Sequence, residues 1–334
     1  MNERDIQRLT ISKDDFEEFI TNVHKYENLI ELNLHDLGLT EFPKEICELS
    51  NLKILSLSGN KFIDLPEEIE RLSKLEKLDL SLNPLKKIPS VVCELINLKE
   101  LVFWESDLSE IPKEVNKLCN LETLMLSYNY EIREFPEEIL QLLKLKTLVL
   151  TDTYIGELPK EIEELTNLQY LQLSSCGITK LPVEIGNMIN LERISLWGNR
   201  LIDLPKKVDK LSNLQEIYLS NNEFKEFPKQ ILKLNKLREI NLGSNMIKEI
   251  PKEIGELCNL EELVLSSNKL TEIPIEICKL HKLEMLDVSN NQLTDIPREL
   301  GKLKNLFILD LRRNMIKDIA EEIRQLPKLD ELNI

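Results

Sequence analysis

Leu191–Asn213 reads LERISLWGNRLIDLPKKVDKLSN, and nearly the whole chain consists of copies of this segment. Apolar residues stand at positions 1, 4, 6, 11, 14, 18 and 21, here Leu191, Ile194, Leu196, Leu201, Leu204, Val208 and Leu211. Asparagine occupies position 9 and proline position 15, here Asn199 and Pro205. Working outward, units begin at Leu29, Leu52, Leu75, Leu98, Leu121, Leu145, Leu168, Leu191, Leu214, Leu237, Leu260, Leu283, Leu306 and Leu329, spaced by 23 residues apart from one spacing of 24. Self-similarity at this period predicts a stacked solenoid rather than two ordinary domains, despite the length of 334 residues.

Each position has a physical reading. Positions 3 to 6 alternate outward and inward, the period of a short strand, so successive units predict a parallel sheet. Asparagine at position 9 can donate its side-chain amide to backbone carbonyls as the chain turns inward. Proline at position 15 fixes φ and disfavours helix in the residue before it, which limits the opposite side to turns and short helical segments. Burying seven apolar side chains yields roughly 1.5–3 kcal/mol each, while ordering a unit costs roughly 1–2 kcal/mol per residue. A single unit therefore needs neighbours on both sides.

These residues, together with the recurrent (L/I/F)PxE(I/V) segment, resemble the leucine-rich repeat superfamily, in particular the 23-residue intracellular type of Ras-group scaffold proteins and many bacterial proteins. The resemblance covers residues 29–334 as thirteen repeats and a truncated fourteenth, one continuous solenoid. It implies an α/β-type solenoid, mostly β and irregular: a right-handed horseshoe with a concave parallel sheet of about fifteen short strands and an irregular or short-helical convex side. It also implies a binding role and brings no catalytic residue.

Residues 1–28 fit two descriptions. Ser12 is placed to cap a helix from Lys13 onward, with Asp15 at the capping-box spacing and Phe16, Phe19, Ile20 and Val23 as its apolar stripe. Ile6, Leu9, Ile11, Phe16, Phe19, Val23 and Tyr26 also fall at the inward repeat positions, so the segment reads as a degenerate first repeat that caps the stack. At the other end the fourteenth unit stops at Ile334, straight after its strand residues. This predicts that the last strand is covered by a partner or a second copy, or that the natural chain continues; self-association through this edge is one expectation.

Composition narrows the function. Forty-three basic and 59 acidic residues leave a formal charge of −16, which argues against nucleic acid and anionic membrane. The charged N-terminus lacks a signal core and no apolar run approaches a membrane span, so a cytoplasmic protein is expected. Of the cysteines, Cys47, Cys93 and Cys278 share one repeat position, Cys119 and Cys258 another, and Cys176 replaces a ladder asparagine. Same-position pairs lie two or more layers apart at about 5 Å per layer, beyond the roughly 7 Å reach of a disulfide, and read as free, half-buried thiols. No cofactor or metal is expected. His24, His35 and His281 do not converge, His35–Asp36 has no nucleophile in register, and pairs such as Glu67–Glu68 read as solvated surface.

Recognition, if written anywhere, is written where the outward positions 3, 5, 7 and 8 depart from the template. Most are Ser, Asn, Glu or Gly, but repeats 4 to 9 place Val102, Trp104, Met125, Tyr128, Val149, Tyr170, Trp197 and Tyr218 there, with Tyr130 and Tyr154 at the adjoining ridge. Phe42, Phe62, Phe103, Phe135, Phe224 and Phe227 take inward positions instead. Exposed Trp and Tyr are typical hot spots; alternatively these rings pack on one another and stabilise the sheet. Repeats 11 and 12 add Glu261, Glu262, Glu284 and Asp287 as an acidic flank. Ser106, Thr153 and Cys176 replace ladder asparagines in the same region, and Tyr130 or Glu131 is the inserted residue of the long repeat. The expected function is a non-enzymatic signalling scaffold that binds a protein or peptide on the concave face. The alternative is the recognition portion of a larger enzyme or effector whose catalytic domain lies outside this chain.

Overall fold

The structure, a computed structural model, describes residues 6–334, which divide into two compact units meeting at Ile155 and Gly156 in the sequence. In the first unit, seven three-residue strands from Arg8–Thr10 to Thr147–Val149 pair in chain order, every pair parallel. In the second, eight strands from Tyr170–Gln172 to Glu331–Asn333 do the same. The register follows the repeat: Leu32 faces Leu55 and Ile194 faces Ile217, and the single 24-residue step appears as Leu124 facing Leu148. Strands cover positions 3 to 5, one residue shorter than the alternation predicts, although the position-6 N–H still binds the next layer, as Leu196 does the Tyr218 carbonyl at 2.8 Å. Each unit is a stack of the kind expected from the repeat, with strands on one side and short helical turns on the other.

The turn side begins at proline. Pro205, with φ −59° and ψ 144°, is extended, and its carbonyl accepts the Val208 N–H at 3.0 Å to open the 3₁₀ helix Lys206–Lys210. The equivalent turn recurs from Lys44–Glu48 to Arg298–Lys302. One turn is all that fits before the position-21 leucine must enter the core. All six phenylalanines assigned inward are buried.

Asn199 shows how the buried turns are satisfied. Its amide donates to the carbonyls of Leu173 at 2.8 Å and Leu196 at 2.9 Å, and its Oδ1 accepts the N–H groups of Cys176 at 3.1 Å and Ile178 at 3.0 Å. One side chain thus ties two layers together. Where asparagine is missing, Ser106 donates to the Leu80 carbonyl at 3.2 Å, Thr153 to Leu150 at 2.7 Å, and the Cys176 thiol to Ser174 at 3.4 Å. A second ladder, not evident from the pattern, runs along position 23. Asn213 donates to the Ile189 carbonyl at 2.9 Å and accepts from Lys236 at 2.8 Å, and the same alternation recurs at Asn259 and Lys282.

At the start of the chain, Arg8–Thr10 pairs with Glu31–Asn33 and the return is helical, over Phe16–Thr21 and then Val23–Tyr26. The helix does not start after Ser12. The Ser12 hydroxyl donates to the Asp15 carboxylate at 2.5 Å and accepts the Asp15 N–H at 3.3 Å, which closes a separate turn and delays the helix to Phe16.

None of the six cysteines forms a disulfide. They are not uniformly half-buried, as the repeat frame suggested: Cys47, Cys93, Cys176 and Cys278 are buried, while Cys119 and Cys258 are exposed. Burial pushes the Cys47, Cys93 and Cys278 thiols up to about 11. Among the described residues no helix is long and apolar enough to cross a membrane, and no group of three or more His, Cys, Asp or Glu is arranged to hold a metal ion.

Candidate functional site

Position 8 sets the local geometry of the outward face. It is left-handed in almost every repeat, with φ of 57° at Asp36, 51° at Glu105, 61° at Tyr128, 54° at Asp152, 72° at Gly198 and 53° at Asn290. The recurrence of Gly, Asn and Asp at this position is the sequence signal for it. At Gly198 the freedom is needed twice over, since a Cβ there would lie 2.9 Å from the Ser175 hydroxyl. Tyr128 holds the same conformation with a bulky side chain, at a cost on the order of 1–3 kcal/mol that the surroundings must offset.

In the first unit, position 5 brings Val102, Met125 and Val149 side by side on adjacent strands. Val102 and Met125 are half-buried, but Val149 is only 8% exposed, so it belongs to the floor of the surface and not to the contact residues assigned from sequence.

Above this floor four rings form a chain. Trp104 and Tyr128 meet edge to face with centroids 5.4 Å apart, Tyr128 and Tyr130 follow at 6.4 Å, and Tyr130 and Tyr154 at 6.5 Å. Trp104 is 40% exposed, Tyr130 48% and Tyr154 58%, whereas Tyr128 between them is half-buried. The long repeat produces this arrangement. Ile132 takes the inward position after Asn129, and the Tyr154 N–H binds the Ile132 carbonyl at 2.9 Å, which leaves Tyr130 outside the core beside Tyr154. Burial first, then the charges of Asp152 and Glu105, hold the Tyr130 hydroxyl above its ordinary value. Thr151, whose carbonyl accepts the Tyr128 N–H at 2.8 Å, has a buried hydroxyl without a hydrogen-bond partner.

The second unit treats its aromatics differently. The guanidinium of Arg193 lies 5.3 Å from the centroid of the Tyr170 ring and pairs with the carboxylate of Glu216. The Tyr170 hydroxyl donates to Gln172, and the Tyr218 hydroxyl lies within hydrogen-bond reach of both Glu216, at 2.9 Å, and Glu239, donating its one proton to one of them at a time. Burial pushes Glu216 up, but hydrogen bonds from Arg193 and Tyr218 outweigh it and hold the carboxyl below its ordinary value. The Tyr218 hydroxyl is driven well up, by burial first and then by Glu239 and Glu216. Tyr170 and Tyr218 are therefore half-buried members of a cross-strand network. Trp197 stands apart: it is 46% exposed and no ring pair includes it among the described residues. Glu216, Glu239 and Glu262 face one another in register, which extends the acidic flank expected from Glu261 and Glu284.

Glu105 and Asp152 lie one layer to each side of Tyr128 and were not anticipated. Their signal was available, since both are charged residues at position 8, where the backbone is left-handed, with φ of 51° and 54°.

Comparison with known proteins assigns the family. A family model described as the leucine-rich repeat region matches residues 6–124, 137–243 and 228–334. No curated relative matches the chain. Among solved structures, it is similar to a leucine-rich repeat protein of Leptospira interrogans, at 32% identity over 98% of this chain and 100% of that one, TM-score 0.66. It is also similar to the plant peptide hormone receptor RGFR1, solved in complex with RGF2, at 30% identity over 98% of this chain and 57% of the receptor chain, TM-score 0.72. An internalin from Listeria monocytogenes shares the fold, at 23% identity over 96% of this chain and 93% of that chain, TM-score 0.79. With the repeat, the register and the asparagine ladder already in place, these matches show that the chain belongs to the leucine-rich repeat family.

Proposed function

We propose that the protein is a non-enzymatic interaction scaffold that holds a protein or peptide on the strand face of its repeats. The single observation that carries this reading is the exposure of both tryptophans, Trp104 and Trp197, at outward positions that the repeat template fills with small polar residues. Large rings left in water cost the fold burial it does not recover, and such rings are the usual anchors of interfaces. Val102, Met125 and Tyr128 support Trp104 in the first unit, and Tyr170 and Tyr218 flank Trp197 in the second. Related repeats bind peptides on this fold, as the receptor solved with RGF2 does. A charge of −16 and six cysteines without a disulfide support a reducing, cytoplasmic setting, a signalling role, and a protein partner rather than nucleic acid.

Affinity capture with the wild-type chain beside a Trp104→Ala/Trp197→Ala variant tests the proposal. The same partner should be recovered by the wild type and lost by the variant while the melting temperature holds. Equal recovery by both contradicts it.

A further inference from the structure

The four rings of the first unit and the carboxylates around them make up half of an interaction whose other half is seen complete in the second unit. There Tyr170, Arg193 and Glu216 form a set: ring, guanidinium 5.3 Å from its centroid, and carboxylate paired to that guanidinium. The chain supplies its own cation. In the first unit the rings of Trp104, Tyr128, Tyr130 and Tyr154 run in sequence at 5.4, 6.4 and 6.5 Å. Glu105 and Asp152 sit one layer to each side of Tyr128, as shown by the Glu105 N–H bound to Ser127 and the Tyr128 N–H bound to Thr151. Tyr128 meets Tyr130 at 6.4 Å, so both carboxylates stand within a layer of the ridge, and their charges help hold the Tyr130 hydroxyl above its ordinary value.

No cation completes this set. Among the described residues no guanidinium or ammonium is stacked on these four rings, and no ion pair engages Glu105 or Asp152. The nearby Arg133 is already closed onto Glu131 at 3.1 Å.

We infer that the first-unit ridge is a receptor for a cationic side chain of the protein partner, arginine in particular, stacked on Tyr130 and Tyr154 and paired with Glu105 or Asp152. This rests on the reading of the ridge as a binding surface and names its chemistry. Electron-rich ring faces attract a guanidinium, which stacks flat and is weakly hydrated, and the adjacent carboxylates supply the bidentate acceptor that it prefers. The net charge of −16 favours the approach of a basic segment and opposes that of an acidic one.

A labelled, end-blocked tetra-arginine peptide, titrated into the full chain by fluorescence polarisation, tests the assignment beside its uncharged tetra-citrulline counterpart and maltohexaose. Tetra-arginine should bind at least tenfold tighter than tetra-citrulline. Tyr130→Ala/Tyr154→Ala, which leaves the charge intact, and Glu105→Gln/Asp152→Asn should each weaken it about tenfold. Glu261→Gln/Glu284→Gln, which removes as much charge from the second unit, should leave it unchanged, and melting curves should show every variant folded. Equal loss with Glu261→Gln/Glu284→Gln shows unspecific attraction to an acidic protein and overturns the proposal, as does indifference to the tyrosines. Maltohexaose binding that disappears with Tyr130→Ala/Tyr154→Ala overturns it in favour of a glycan. If tetra-arginine fails while Trp104→Ala still abolishes capture of a protein partner, the scaffold reading stands and the cation assignment falls; if neither responds, both fall.

Discussion

Trp104 and Tyr128 meet edge to face, ring centroids 5.4 Å apart and planes at 85°, although neither position requires an aromatic residue in the repeat. The contact connects an exposed indole to a tyrosine held at φ 61°. A double-mutant cycle over Trp104→Ala and Tyr128→Ala should give a coupling energy of about 0.5–1.5 kcal/mol in denaturant unfolding. Additive losses would show that the pair is an accident of side-chain placement.

The two asparagine ladders differ in burial and should differ in energy. Asn222 is buried, donates to Leu196 at 2.9 Å and Leu219 at 3.0 Å, and accepts the Leu201 N–H at 2.9 Å. Asn222→Ala leaves those groups unpaired in the core and should cost roughly 2–4 kcal/mol. Asn213→Ala, on the wetter ladder, should cost less than about 1 kcal/mol because water replaces its bond to Ile189. Chemical denaturation of the two variants compares them directly, and equal losses would contradict this account.

Glu262 is held above its ordinary value of 4.5 by burial first and then by Glu239 and Glu284. A carboxyl whose pKa rises on folding contributes stability that is fully present below its unfolded pKa and is lost as pH rises through the folded value. Its charge therefore opposes folding at neutral pH. The side chain is largely exposed, so solvent screening leaves only a few tenths of a kcal/mol. Glu262→Gln should raise the midpoint of urea unfolding at pH 7, with the gain disappearing below about pH 4. A gain that persists in acid, or a loss at pH 7, would show that Glu262 has a structural partner.

Thiol reactivity should separate the cysteines. Cys119 and Cys258 are exposed, whereas Cys47, Cys93 and Cys278 are buried with thiols up at about 11. A disulfide reagent at pH 8 should label Cys119 and Cys258 rapidly in the native protein and the four buried thiols only on unfolding. Rapid labelling of all six would mean that the layers open.

The repeat made the fold legible because position and role coincide: Leu196 at position 6 is buried and Asn199 bridges layers whatever surrounds them. The site was legible only in part. Trp104 and Trp197 could be picked out because they break the template, but Val149 is the same chemical type as Val102 and differs only in how its neighbours cover it. Tyr170 and Tyr218 could not be separated from Trp197 by pattern, since their hydroxyl partners come from side chains one strand or two residues away. The left-handed backbone at position 8 was written in its Gly, Asn and Asp residues, and reading it would have drawn attention to Glu105 and Asp152.

The central claim is that Trp104 belongs to a binding surface and not to the fold. Titration calorimetry of the captured partner against wild type and Trp104→Ala, with melting curves of both, tests it most directly. A central anchor predicts an affinity loss of about 2 kcal/mol or more, roughly thirtyfold in Kd, with an unchanged melting temperature. An unchanged Kd with a large fall in melting temperature would contradict it and assign Trp104 to packing.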